Sequence, residues 1–204
     1  MSEASIVYVV DDDEAVRDSI GMLLDSAGLR YRTFADADAL LTADENLTEG
    51  CLVLDIRMPG MSGLELQAEL KRREISLPII FITGHGDIPM AVEAMRQGAV
   101  DFIRKPFRDQ ELLDRINEAL VLEAQSRDHL ARIEAMRDKV ARLTPRETEV
   151  FERVANGQAN KVIAIDLEIS ERTVEIHRSQ VMHKTGARSL ADLVKLRLGI
   201  GDAE

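Results

Sequence analysis

The chain has 204 residues, enough for one large or two modest domains, and its 45% hydrophobic content suffices for two cores. No apolar run approaches the ~20 residues that cross a bilayer, the opening MSEASIVYVV lacks the basic region of a secretory signal, and a single cysteine, Cys51, excludes an intramolecular disulfide. The expectation is a cytoplasmic protein with no membrane partner and a buried, reduced thiol. The net charge of −11 argues against a nucleic-acid partner only until it is divided: residues 1–122 hold 12 Lys/Arg and 23 Asp/Glu, 123–142 hold 5 and 4, and 143–204 hold 9 and 10. The acidity belongs to the front of the chain, and the rear is close to neutral.

In chain order, periodicity predicts a strand at 6–10, a helix at 14–27, a strand at 30–34, a helix at 36–43, a strand at 51–55 and a helix at 62–72. A strand at 78–82, a helix at 87–97, a strand at 100–103 and a helix from 109 complete the front half. Gly28 and Gly98 stand where the first and fourth helices end. Five βα repeats predict an α/β flavodoxin-like doubly wound parallel sheet, strand order 2-1-3-4-5. From Phe107 to Thr144 there is neither Gly nor Pro, so the fifth helix is expected to run on as a linker of up to ~50 Å. On it Ile133, Met136, Val140 and Leu143 form a short heptad-like stripe, suited either to a helix resting on its own domains or to a parallel pair in a dimer. The rear predicts helices at 145–155, 160–167, 171–185 and 189–199. Thr144, Pro145 and Glu147 start the first, and Ser170 and Ser189 cap the last two. A tight turn at Glu168-Ile169 makes a helix-turn-helix. Three segments result: a domain over 1–122, a helical linker over 123–142 and an all-α domain over 143–204.

In a parallel sheet the loops after the carboxyl ends of the strands meet on one rim, where ligands bind. Asp11-Asp12, Asp55, Thr83 and Lys105 each follow an apolar run, so three carboxylates, a hydroxyl and an ammonium are expected in one site. That set suits a hard cation and a phosphoryl group. Asp55 is the expected nucleophile, since a carboxylate attacking phosphorus gives a mixed anhydride. Asp11 and Asp12 supply oxygen ligands of the kind Mg²⁺ takes, and Thr83 offers a hydroxyl donor. A helix-capping acidic run is the plain alternative for Asp11-Asp12, and a strand-ending β-branched residue for Thr83. No P-loop or Gly-rich cradle is present, so the phosphoryl group must come from a partner. A phosphatase would call for a second acid two residues after the nucleophile, where Arg57 stands.

The stretches VVDDDE, LVLDIRMPGMSG, FITGHGD and FIRKPF, in this order within residues 5–122, resemble the receiver domain of bacterial response regulators. The stretch from Leu143 to Ser189, LTPRETEVFERVANG through MHKTGARS, resembles a LuxR-type helix-turn-helix. Together they resemble the FixJ/NarL group of two-component transcription regulators. The resemblance implies a phosphoacceptor rather than an enzyme, with weak Mg²⁺-dependent self-phosphorylation and self-dephosphorylation at most. Asp55 then takes its phosphoryl group from a sensor histidine kinase. Asp12, Asp55 and the backbone carbonyl of Arg57 hold Mg²⁺ directly, and Asp11 acts through water. Lys105 reaches the phosphate from beside a cis bond to Pro106, Thr83 is recruited to it, and Phe102, whose place on the strand equally suits a plain core aromatic, swings inward as the switch. Arg57 and His85 flank the pocket. Phosphorylation is expected to pair two copies through a face that includes Met90, Val92, Met95, Val100 and Asp101. The remaining expected partners are double-stranded promoter DNA and RNA polymerase, with activation as the outcome.

In the helix at 171–185, Val174 and Val181 lie on one face as inward anchors. At about 100° per residue, Arg172, Glu175, Ile176, Ser179 and His183 point the other way. The family docks this face in the major groove, with Thr173 beside it. Glu175 suits a cytosine amino group and Ile176 a thymine methyl. Lys161, Arg178 and Lys184 are expected on phosphates. The same rear segment also resembles region 4 of sigma factors, which would make it a protein-binding module.

Overall fold

A computed structural model describes residues 5–43, 47, 49–84 and 88–201. The strands are β1 (Ile6–Val10), β2 (Tyr31–Phe34), β3 (Gly50–Asp55), β4 (Ile79–Thr83) and β5 (Asp101–Arg104). They form one parallel sheet of order β2-β1-β3-β4-β5. The helices of this part are α1 (Glu14–Ser26), α2 (Ala37–Thr42), α3 (Gly63–Arg72), α4 (Ile88–Arg96) and α5 (Asp109–Ala141).

Every residue of β3 and β4 is buried, as strands covered on both faces must be. Alternation sorts their side chains into two cores. Tyr8, Val10, Leu52, Leu54 and Phe81 face α2, α3 and α4 through Leu40, Leu66, Leu70 and Ala94. Val7, Val9, Cys51, Val53, Ile80, Ile82 and Ile103 face α1 and α5 through Ile20, Leu24, Leu112 and Ile116. The register is what builds the rim: Val10 stands beside Leu54, Asp55 beside Ile82 and Thr83 beside Arg104. Asp11, Asp55, Thr83 and Lys105 therefore emerge at one level.

Several boundaries differ by a residue from those predicted, each for a local reason. Asp36 and Ser62 cap α2 and α3 instead of entering them. Pro78 has no N–H for the ladder, so β4 begins at Ile79 while the Pro78 carbonyl accepts from the Leu52 N–H at 2.9 Å. Gly28 and Gly98 follow α1 and α4 at φ +68° and +100°.

The described residues divide into two compact units, 1–126 and 127–204, and the division falls inside α5. That helix runs 33 residues without a break, about 50 Å. The second unit holds α6 (Pro145–Ala155), α7 (Asn160–Asp166), α8 (Glu171–Thr185) and α9 (Leu190–Gly201). Thr144 and Glu147 form the expected capping box with Pro145 in the first turn, and Ser170 caps α8. Glu168 makes the turn between α7 and α8 at φ +54°. Val150, Phe151, Val154, Ile163, Val174, Val181, Leu193 and Leu196 make the core.

The linker stripe belongs to that core. Leu143 is part of it, Met136 and Val140 pack against it, and Ile133 is buried. The stripe thus packs on its own domain, the first of the two arrangements the spacing allowed. A Cβ on Gly199 would stand 2.7 Å from the Met136 sulfur, which shows how closely α9 approaches α5 here. Val140→Asp is accordingly expected to lower the stability of the second unit by about 1–3 kcal/mol, read as a lower Tm by calorimetry of the full chain, through a charge placed against apolar core.

Candidate functional site

At the sheet's rim, β1 delivers Asp11, fully buried, and Asp12, exposed. β3 delivers Asp55, 6% exposed, and β4 delivers Thr83, 2% exposed. Ligand oxygens of Asp11, Asp12 and Asp55 lie within 4.8 Å of one another. Lys105 enters from the end of β5, its Nζ 2.5 Å from Asp11 Oδ2 and 3.3 Å from Asp55 Oδ1. Its N–H donates to the Thr83 carbonyl at 2.7 Å, and its bond to Pro106 is cis. The five residues predicted from sequence are thus brought together. Arg57 donates its N–H to the Asp55 carboxylate, Phe102 is half-buried against the core beside Phe81, and His85 lies outside the described residues.

The electrostatics are those of a crowded carboxylate pair. Burial pushes the Asp55 carboxyl above its ordinary range, the Asp11 charge adds to this, and Lys105 and the Arg57 N–H oppose it. Asp11 has its second oxygen on the Asp13 N–H at 3.0 Å, so Lys105 and the backbone fix its orientation. The donor set fits a small hard cation: three carboxylates, one of them exposed, with one ammonium already balancing the innermost.

Two contacts at this rim were not predicted. Arg17 of α1 donates to the Asp11 carbonyl at 2.8 Å. Gly63 opens α3 against β3: its N–H donates to the Ile56 carbonyl at 2.9 Å, and a Cβ there would stand 2.3 Å from the Asp55 carbonyl oxygen. Only glycine allows that approach, and the Gly of MPGMSG was its one visible sign.

In the second unit, α8 buries Val174, Val181 and Thr185. Arg172, Glu175, Ile176, Ser179 and His183 are exposed, as is Lys161 in the first turn of α7. Ile176 is 55% exposed. Three residues of the predicted face are engaged elsewhere. The Thr173 hydroxyl lies 2.7 Å from that of Ser170 in the helix cap. Arg178 donates to Asn160 Oδ1 at 2.7 Å. The ammonium of Lys184, a residue expected on a phosphate, sits 2.6 Å from Glu147 Oε2, a counter-charge for that buried carboxylate.

Comparison with known proteins finds the same two parts. The family described as "Response regulator receiver domain" matches residues 7–117, and "Bacterial regulatory proteins, luxR family" matches residues 141–196. The chain is 48% identical over 204 residues to the transcriptional regulatory protein FixJ of Azorhizobium caulinodans, covering 100% of this chain and 96% of that one. It is 44% identical over 200 residues to the response regulator protein TodT of Pseudomonas putida, covering 98% and 88%. The solved structure of the response regulator StyR is similar at a TM-score of 0.85 and 46% identity, over 94% of this chain and 97% of that one.

A carboxyl whose folded pKa is raised costs stability once pH passes above its ordinary value, and the loss is complete above the raised value. Asp55→Asn is therefore expected to stabilise the metal-free protein at pH 7. The gain should shrink as pH falls toward the ordinary Asp value of 3.8, as followed by thermal melts across that range.

Proposed function

Since this chain belongs to the response regulators that join a receiver domain to a LuxR-type helix-turn-helix, and is a phosphorylation-dependent transcriptional regulator, we propose that Asp55 accepts a phosphoryl group from the phosphohistidine of a sensor kinase. The observation that carries this reading is the gathering of Asp11, Asp12 and Asp55 within 4.8 Å beside the Lys105 ammonium. An Asp55 oxygen attacks phosphorus, the N–P bond breaks, and its electron pair stays with the imidazole. The product is an acyl phosphate. Asp12, Asp55 and the Arg57 carbonyl would hold Mg²⁺, with Asp11 through water, and bound Mg²⁺ neutralises charge on the transferring group. Lys105 supplies a fixed positive charge at the same place. The Thr83 hydroxyl donates to a phosphoryl oxygen once one is present, and Phe102 follows it inward. Self-phosphorylation and self-dephosphorylation at this site are weak.

The proposed readout is a two-fold dimer formed through the α4-β5-α5 face. Val92 and Met95 are each 45% exposed there, while Met90 and Val100 are half-buried. Asp101 is bound to Arg115 of α5 at 2.6 Å. The luxR match favours DNA over the sigma-like protein-binding alternative for the rear unit. Arg172, Glu175, Ile176, Ser179 and His183 would face the major groove of promoter DNA, with Lys161 and Arg178 on phosphates. Domain limits of 1–122 and 143–204, a cytoplasmic location, recruitment of RNA polymerase and activation of transcription complete the reading. Among the described residues no helix is long and apolar enough to cross a membrane.

Asp55→Asn, which keeps shape but lacks the nucleophile, is expected to abolish labelling from acetyl phosphate. Asp12→Ala should slow the same labelling and weaken its Mg²⁺ dependence. Undiminished labelling of Asp55→Asn ends the assignment. Thr83→Ala should still accept phosphate but dimerise poorly by sedimentation.

On DNA, Glu175→Ala should alter preference at one base position by about 1–3 kcal/mol. Lys161→Ala should weaken binding to all sequences and reduce the log–log salt slope by about 0.9. Gel shifts across a salt series separate the two, and no change in either variant refutes the groove-facing assignment.

A further inference from the structure

The recognition helix α8 packs on the core of its unit along one face. Val174, Val181 and Thr185 are its buried residues, and at about 100° per residue they fall within about 20° of one line along the helix. Met182, about 80° to one side of that line, also packs against the core, so apolar contact holds the axis and one flank of α8 and leaves the opposite flank to polar contact. The roll decides which side chains the groove meets, since neighbouring positions on a helix are about 100° apart.

Two polar ties flank the line, one on each side. Arg178, about 40° to one side, holds Asn160 at the start of α7. Lys184, about 80° to the other, holds Glu147 in the first turn of α6 at 2.6 Å. Glu147 is only 5% exposed. The oxygen that binds Lys184 also accepts the Thr144 N–H at 2.7 Å, closing the capping box of α6. One carboxylate thus completes the positive end of α6 and receives a cation at the negative end of α8, favourable to both helix dipoles. The Lys184 and Thr144 bonds hold its carboxyl down at about 2, so it is charged throughout the physiological range.

We propose that Glu147 is a positioning residue for DNA recognition: through Lys184 it sets the roll of α8 and so the identity of the side chains presented to the bases. This deepens the reading of α8 as the groove-facing helix and rests on it. Lys184 accordingly serves the fold of the reader and not a phosphate.

The test uses the full chain and four variants, Glu147→Gln, Lys184→Met, the double variant and Lys184→Arg, each assayed on promoter and scrambled duplexes over a salt series at a temperature where melts show it folded. Glu147→Gln and Lys184→Met are each expected to lower the promoter-to-scrambled preference about tenfold. The double variant should lose no more than either alone, the salt slope should keep its wild-type value, and Lys184→Arg should restore the preference. A role confined to stability would lower Tm and leave the preference of folded protein intact, and that result overturns the proposal. So does a fall in salt slope of about 0.9 in Lys184→Met but not Glu147→Gln, which marks a phosphate contact. Wild-type protein that prefers no sequence defeats the groove reading itself, whereas variants matching a discriminating wild type defeat the positioning role alone.

Discussion

Two carboxylates held out of water beside each other constrain the whole front unit. Asp11 and Asp55 are both buried, and their repulsion is moderated by the one ammonium that bridges them. Unit charges ~4 Å apart interact by about 4 kcal/mol at the effective dielectric of a protein surface, so the arrangement survives only if the backbone has no alternative. The sheet supplies that constraint. β3 is paired on both sides and buried along its length, and α3 begins so close behind Asp55 that a methyl group would collide with its carbonyl. A site assembled against its own electrostatics is poised to gain from any cation that relieves it.

This explains which parts of the chain were readable in advance. The rim residues were legible because parallel βα topology sends every strand's carboxyl end to one edge, so the residue after each apolar run is placed by topology alone. The caps at Ser62, Thr144 and Ser170 were legible or nearly so, because they depend on residues within a few positions. Gly63 was visible only as a motif letter, since its purpose lies in the carbonyl it approaches. The stripe from Ile133 to Leu143 has the same spacing whether its partner is another copy or the next domain. Periodicity records that a face is covered without recording by what.

Lys184 shows the same limit in the second unit. A basic residue near the exposed face of a recognition helix suggests a phosphate contact by position. Its pairing is decided by Glu147, 37 residues earlier, a residue whose sequence context speaks only of a helix start. On the helical wheel Lys184 stands midway between the buried line and Ile176, about 80° from each, so position alone left its partner open. Buried carboxylates attract the nearest cation more strongly than exposed faces retain it.

The same internal use of charge runs through the rear unit. Arg146, Arg197 and Lys184 are paired with Glu149, Glu152 and Glu147. The basic side chains left to meet a polyanion are correspondingly few, and the unit is close to neutral overall. Because non-specific affinity for DNA scales with the number of phosphates neutralised, a single copy of this unit is expected to bind weakly. Weakness of that kind serves the proposed switch. Two linked weak sites gain from effective concentration what one lacks, so occupancy of DNA depends steeply on pairing. In such a scheme the near-neutral reader is the device that leaves control with Asp55, since a strongly basic one would hold DNA whether or not the receiver had been phosphorylated.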